Sequence, residues 1–122
     1  MDFKDLLAYK KAFQLAMEIF EISKSFPKEE RYSLTDQIRR CSRSVCAQIA
    51  EGYRKRRYPK HYTSKLSDGD AENSETQVWL GFAYACQYID RTTFLRLNEL
   101  SLEVGKLIGY MINNPHKFGV SK

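Results

Sequence analysis

Positive charge is the chemistry this chain carries in quantity. Between Gln37 and Lys65 stand nine Lys or Arg and one acid, Glu51, a net charge of +8. At 100° per residue, Arg39, Arg43, Arg54 and Arg57 fall in a sector of roughly 60° on one side of a helix, with Arg40 at its flank. Leu34, Ile38, Cys41, Val45 and Ile49 form an apolar stripe on the opposite side. A helix divided in this way buries one face and presents a cationic one. Guanidinium and ammonium groups at this density suit phosphate oxygens. Tyr53, Tyr58 and Tyr62, interleaved with the cations, are placed to stack on bases. The competing use is internal. From Leu66 to Asp90 there are five acids, Asp68, Asp70, Glu72, Glu75 and Asp90, and no base, a net −5. Arginines tied to Asp70, Glu72 and Glu75 would be struts between neighbouring helices. The run RKRRYPK after Gly52 lies at a helix junction and is harder to satisfy internally than Arg39 or Arg43. Arg54, Lys55, Arg56, Arg57 and Lys60 are therefore the leading phosphate contacts, joined by Lys65, Arg39, Arg40 and Arg43 on the binding reading.

Enzyme chemistry finds little footing. A di-iron bundle needs a Glu-x-x-His pair on each of two helices, and the two histidines, His61 and His116, are preceded at three residues by Tyr58 and Asn113. There is no HExxH motif, phosphate-cradling glycine loop or dinucleotide fingerprint. His61 and Asp68 are seven residues apart and share a helix face, where a solvated surface pair is the expectation. Glu51 and Glu75 are acids by type, and links to arginine that hold the second helix against the third are expected of both. Trp79 is read as core or interface. The sequence thus points to no catalytic residue, metal or cofactor.

The elements that must position these groups are four amphipathic helices. The first is expected from Asp5 to Ser25, with a seam of Leu6, Tyr9, Phe13, Ala16 and Phe20 widened by Leu15, Ile19 and Ile22. Phe26-Pro27 ends it, since the residue before a proline avoids helical geometry. Ser33 is the expected cap of a second helix over Leu34–Arg57, with Asp36 as its weak capping-box partner. Gly52 interrupts that helix at a cost of about 1 kcal/mol, which suggests close approach by a neighbour. Pro59 suits the first turn of a third helix running to Ile89. Its seam is Tyr62, Leu66, Gly69, Asn73, Thr76, Leu80, Ala83 and Gln87, in phase across the run SDGD. In its second half Val78, Phe82 and Ile89 lie nearly opposite Leu80, Ala83 and Tyr84. A helix apolar on both sides is usually buried on both. Val78, Trp79, Phe82 and Ile89 are accordingly assigned to a subunit interface. A fourth helix, capped by Thr92 or Thr93, carries Leu97, Leu100, Val104, Leu107 and Met111 until Asn113-Asn114-Pro115 stops it. The tail from His116 to Lys122 is expected to be mobile.

Residues 1–122 are read as one domain, an all-α up-down four-helix bundle. Hydrophobic residues at 43% and charged residues at 29% exclude a disordered chain. Cys41, Cys46 and Cys86 include no CxxC pair and are expected to be buried reduced thiols. No apolar run follows a basic start, and no stretch approaches the ~20 apolar residues of a membrane span. A cytoplasmic protein with no membrane partner is expected.

Particular motifs add to this reading. They are Leu6, Tyr9, Ala12 and Ala16 early in the chain; Gln37-Ile38-Arg39-Arg40; Ser42-Arg43-Ser44-Val45; Ile49-Ala50-Glu51-Gly52; and Ser74-Glu75-Thr76-Gln77-Val78-Trp79-Leu80. With these the chain resembles the bacterial four helix bundle protein family, also known as the ribosomal-RNA intervening-sequence protein family. Gln48 stands where asparagine is commoner in the family, and Cys46 where proline or a small residue is usual. The resemblance implies a four-helix bundle and a homo-oligomer, a ring of five. Some members are encoded within insertions in large ribosomal RNA genes. A distant relative is a basic, nucleic-acid-binding accessory factor to a reverse transcriptase. No catalytic activity is established for the family. RNA or DNA, and by analogy a reverse transcriptase or other protein, are the implied partners.

Overall fold

The 3,4 spacing of apolar residues becomes four helices: α1 Leu7–Ser23, α2 Leu34–Arg54, α3 Pro59–Ala85 and α4 Arg91–Asn113. The computed structural model describes residues 1–121. Short 3₁₀ turns at Phe3–Asp5, Lys28–Glu30 and Pro115–Phe118 complete the order, and no strand occurs among the described residues. α2 packs most extensively on α3, α3 on α4, and α1 on both α2 and α4, which makes a four-helix bundle.

Two apolar clusters fill its ends. One gathers Val45, Ile49, Tyr53, Tyr62, Leu66, Val104, Ile108 and Met111. The other gathers Leu15, Ile19, Leu34, Ile38, Leu80, Ala83 and Leu97. The stripe expected on α2 is buried at every position. A buried polar layer explains the polar middle of the α3 seam. Asn73 Nδ2 donates to the Ser101 carbonyl at 2.9 Å, and Ser101 Oγ returns a bond to Asn73 Oδ1 at 2.9 Å. Gln77 Nε2 donates to Ser101 Oγ at 3.0 Å. Thr76 Oγ1 lies 2.9 Å from the Glu72 carbonyl and 3.2 Å from Cys41 Sγ. These polar groups are buried with partners, which removes most of the cost of desolvating them.

Several elements differ from the sequence reading. α1 is rotated: Ala8, Ala12, Leu15, Ala16 and Ile19 face inward, while Phe13 is 51% exposed and Tyr9 and Phe20 are half-buried. A helix apolar nearly all round offers competing registers. The one chosen turns three alanines inward, where small side chains permit close helix approach. α2 ends at Arg54 and not Arg57, because Tyr58 precedes Pro59 and takes non-helical backbone (φ −120°, ψ 88°). α3 runs unbroken through Ser67–Asp70 but stops at Ala85, short of Ile89. Gln87 there takes a left-handed φ of 66°, with Tyr88 N bonded to the Ala83 carbonyl at 2.8 Å and Gln87 N to the Tyr84 carbonyl at 2.9 Å. This is a Schellman stop built without glycine.

The caps also differ. Ser33 caps nothing. Glu30 instead accepts from Ser33 Oγ at 2.6 Å, Leu34 N at 3.3 Å and Tyr88 Oη at 2.8 Å. The bonds from Ser33 and Tyr88 hold the Glu30 carboxyl below its usual range, and the bond to Glu30 is the main cause that pushes the Tyr88 phenol up to about 12. Asp90, not Thr92 or Thr93, caps α4, accepting from Thr93 N at 2.8 Å. The tail from His116, expected to be mobile, is packed: Gly119, at φ 83°, turns the chain so that Val120 enters the core at 8% exposure. Lys122, the last residue of that expected tail, lies outside the described residues.

Candidate nucleic-acid interface

The basic segment does not act as one surface; the fold divides it. At the α2–α3 corner Arg54, Lys55, Arg57 and Lys60 are exposed, and no carboxylate among the described residues forms an ion pair with them. The corner exists because α2 stops at Arg54 and Pro59 starts α3, which leaves four residues to reverse the chain. Gly52 lets the two helices close beneath it. A Cβ at this position would lie 3.2 Å from Leu66 Cγ and 3.4 Å from Lys65 Cβ. The close approach suggested by the sequence is thus found.

Arg56, placed by sequence among the phosphate contacts, turns inward. Its guanidinium lies 3.8 Å from the centre of the Tyr53 ring. Its Nε donates to the Tyr53 carbonyl at 2.8 Å and Nη1 to the Phe118 carbonyl at 3.3 Å. Arg56 therefore fastens the C-terminal turn. Arg39 and Arg43, read as phosphate contacts or alternatively as ties to the third helix, face α1. Their guanidinium carbons sit 4.9 and 5.6 Å from the centre of the Phe20 ring, and Arg39 Nε donates to Ser23 Oγ at 2.7 Å. Arg40 is the tie to α3, pairing with Glu75 at 3.1 Å and Glu72 at 3.8 Å. Glu51 pairs with Lys65 at 2.9 Å and not with an arginine. Among the described residues Asp70 makes no ion pair, and none joins His61 to Asp68, both of which are exposed.

Of the three tyrosines read as stacking platforms, Tyr53 and Tyr62 are buried. Tyr62 Oη donates to the Met111 carbonyl at 2.9 Å, and burial pushes its phenol up to about 12. Tyr58 alone is free, 52% exposed beside the cations, its ring centre 5.9 Å from that of His61. Sequence reasoning missed Ser64. With His61 it lines the α2–α3 groove beside Arg54, and its i, i+3 spacing from His61 was the available signal. It also missed Phe20 as a platform for arginine, which no local pattern reveals.

The residues assigned to a subunit interface are divided as well. Val78 and Phe82 are 52% and 53% exposed on the outer face of α3. Trp79 is half-buried, donates from Nε1 to Glu75 at 3.0 Å and lies 5.8 Å from Phe82, centre to centre. Ile89 is 8% exposed within the chain's own core and is not available to a partner. Of the cysteines, Cys41 and Cys46 are buried but Cys86 is exposed, against the expectation for all three. No described helix is long and apolar enough to cross a membrane.

The profile of the family described as 23S rRNA-intervening sequence protein matches residues 4–110. Among solved structures, the chain resembles a protein of unknown function from the S23 ribosomal protein family of Bacteroides thetaiotaomicron VPI-5482. The TM-score is 0.80 at 27% identity, covering 90% of this chain and 98% of that one. The comparison with curated proteins gives no match. The span matched by the profile holds the cationic corner, the polar layer and nearly all of the four helices. The chain therefore belongs to the 23S rRNA-intervening sequence protein family.

Proposed function

We propose that the protein is a nucleic-acid-binding accessory factor that performs no catalysis of its own and acts as a homo-oligomer, a ring of five as the resemblance implies. The observation that carries this reading is the α2–α3 corner. There Arg54, Lys55, Arg57 and Lys60 stand exposed with no carboxylate partner among the described residues. Unpaired cations repel one another, so a fold that gathers four of them at one corner suits an anionic partner that neutralises them. Repetition of the corner around an oligomer multiplies its field, and the exposed Val78 and Phe82 give such an oligomer an apolar face.

The competing reading is a scaffold, supported by the internal use of Arg39, Arg40, Arg43 and Arg56. Fluorescence anisotropy over a salt series separates the two. Each phosphate neutralised on a single strand contributes about 0.7 to the slope of log affinity against log salt. Changing Arg54, Arg57 and Lys60 together to Gln should flatten the slope by about 2 and leave Tm unchanged. Arg40→Gln should lower Tm with little change in slope. Absence of binding to both RNA and DNA at low salt would leave the scaffold reading standing.

A further inference from the structure

Two outer faces of the bundle are apolar, and they carry opposite charge. The first lies on α3. Ser67, Ala71, Ser74, Val78, Gly81 and Ala85 follow one another at intervals of four and three, none is larger than valine, and none is buried. A Cβ at Gly81 would meet no described atom within 4 Å, whereas Gly52, Gly69 and Gly105 each lie against a neighbour. Glycine weakens a helix interior relative to alanine. Gly81 therefore serves nothing within the chain, but it leaves room for an approach from outside. Beside this line runs an open groove of about 610 Å³, lined by Glu30, Tyr32, Leu34, Trp79, Phe82 and Cys86. Its surroundings are acidic. From Leu66 to Asp90 there are five acids and no base. Among the described residues only Arg40 pairs with any of those acids.

The second face lies on α1. Lys10, Phe13, Met17, Phe20 and Lys24 repeat the three-four interval. Phe13 and Met17 are exposed, and Arg39 and Arg43 stand against Phe20. Lys24 pairs with Glu21, but Lys10, Arg39 and Arg43 form no ion pair among the described residues. Large apolar side chains on one face and small ones on the other are complementary in shape, as their charges are in sign. Two α3 faces would set acid against acid, and two α1 faces cation against cation. The outer face of α4 also exposes Leu95 and Leu102, but Arg96, Glu99, Glu103 and Lys106 give it both signs. α1 and α3 each pack on α2 and α4, so they stand at opposite corners of the bundle and their outer faces point apart. We infer that the α3 face and its groove receive α1 of a second copy, Phe13 and Met17 foremost, in a head-to-tail joint; this rests on the homo-oligomer reading above. Each copy then has a neighbour on either side, the arrangement from which rings are built.

Mixing two variants tests the joint. Phe13→Lys and Phe82→Lys each spoil one face and keep the other, so each alone should be a folded monomer by circular dichroism and light scattering. Mixed in equal amounts at high concentration, they should form a dimer and nothing larger, because one intact α3 face meets one intact α1 face. Cys86 on the groove wall reports the joint chemically. In the mixture its alkylation should slow by about tenfold in the Phe13→Lys chain, where the groove is covered, and stay fast in the Phe82→Lys chain. Mass spectrometry distinguishes the two chains. Met17→Lys spoils the same α1 face and should behave as Phe13→Lys does. If both α1 variants keep the native size, the inference is overturned and the homo-oligomer stands. Two monomers that ignore each other on mixing also overturn it, since the joint would then pair like faces. A native protein that is monomeric overturns the joint and the homo-oligomer together.

Discussion

Arginine meets three fates in this chain, and each is set by what lies opposite. Arg39 rests on the Phe20 face with Ser23 accepting from its Nε, so it is a strut to α1. Arg40 reaches carboxylates on α3, and Arg54 reaches none. The chemistry of each contact gives a ranking of substitutions. Arg39→Ala loses an aromatic contact and a hydrogen bond from a charged donor, together about 1–2 kcal/mol of stability. Arg54→Ala, with nothing to lose in the fold, should stay within about 0.5 kcal/mol. Urea titration of the two variants checks the order, and equal losses would contradict the division of the basic segment. The thiols follow the same logic. Burial pushes Cys41 and Cys46 up to about 11, so their reactive thiolate forms are scarce as well as enclosed. Cys86 is exposed at the end of α3. In the monomeric chain a thiol reagent at pH 8 should therefore modify Cys86 quickly and Cys41 and Cys46 only on unfolding, as mass spectrometry would show. Rapid modification of all three would mean that the α2 core opens.

At the scale of elements, the ends of the helices hold the features the sequence concealed. Helix number, type and the α2 and α3 core positions were legible, because a long 3,4 period leaves few alternatives. Caps were not. Ser33 and Thr92 or Thr93 are favoured types at favoured places, yet Glu30 and Asp90 do the work. At Glu30 the choice depends on a loop geometry that includes Tyr88, 58 residues away. The α1 register was hidden for a different reason: Phe13 and Leu15 are equally apolar, and only the alanines decide between them. The cationic corner was legible as charge, but the inward turn of Arg56 depends on Phe118, 62 residues away. Two helix ends give predictions. Gln87 holds a left-handed backbone that costs an L-residue roughly 1 kcal/mol, so Gln87→Gly should raise stability by about that amount in a denaturant titration. Truncation after Asn114 removes buried Val120 and should cost about 2 kcal/mol. Arg56→Gln should destabilise the full chain more than the truncated one, where only its contacts with Tyr53 remain. Additive losses would mean that the Arg56–Phe118 contact contributes nothing.

The whole molecule carries two surfaces at opposite ends of α3. The cationic corner begins at Pro59, and the exposed Val78 and Phe82 lie one face and about 30–35 Å further along the helix. Ala71 and Ala85 are exposed as well, so much of the outer face of α3 is small or apolar where a solvated helix would carry charge. Ile89, turned into the core, is no part of it. If this face joins copies of the chain, charge and assembly are separable by substitution. Phe82→Lys places an ammonium group in the joint without touching the monomer core, so it should yield a folded, fully helical monomer by light scattering at micromolar concentration. The corner of each chain would be unchanged. The monomer should therefore keep the salt slope of a single corner, while affinity for a long strand falls by ten- to a hundredfold as several corners no longer act together. Substitution of Arg54, Arg57 and Lys60 should do the reverse, flattening the slope in an oligomer of unchanged size. A native protein that is already monodisperse and monomeric would remove the apolar face from the account and leave the corner to bind alone.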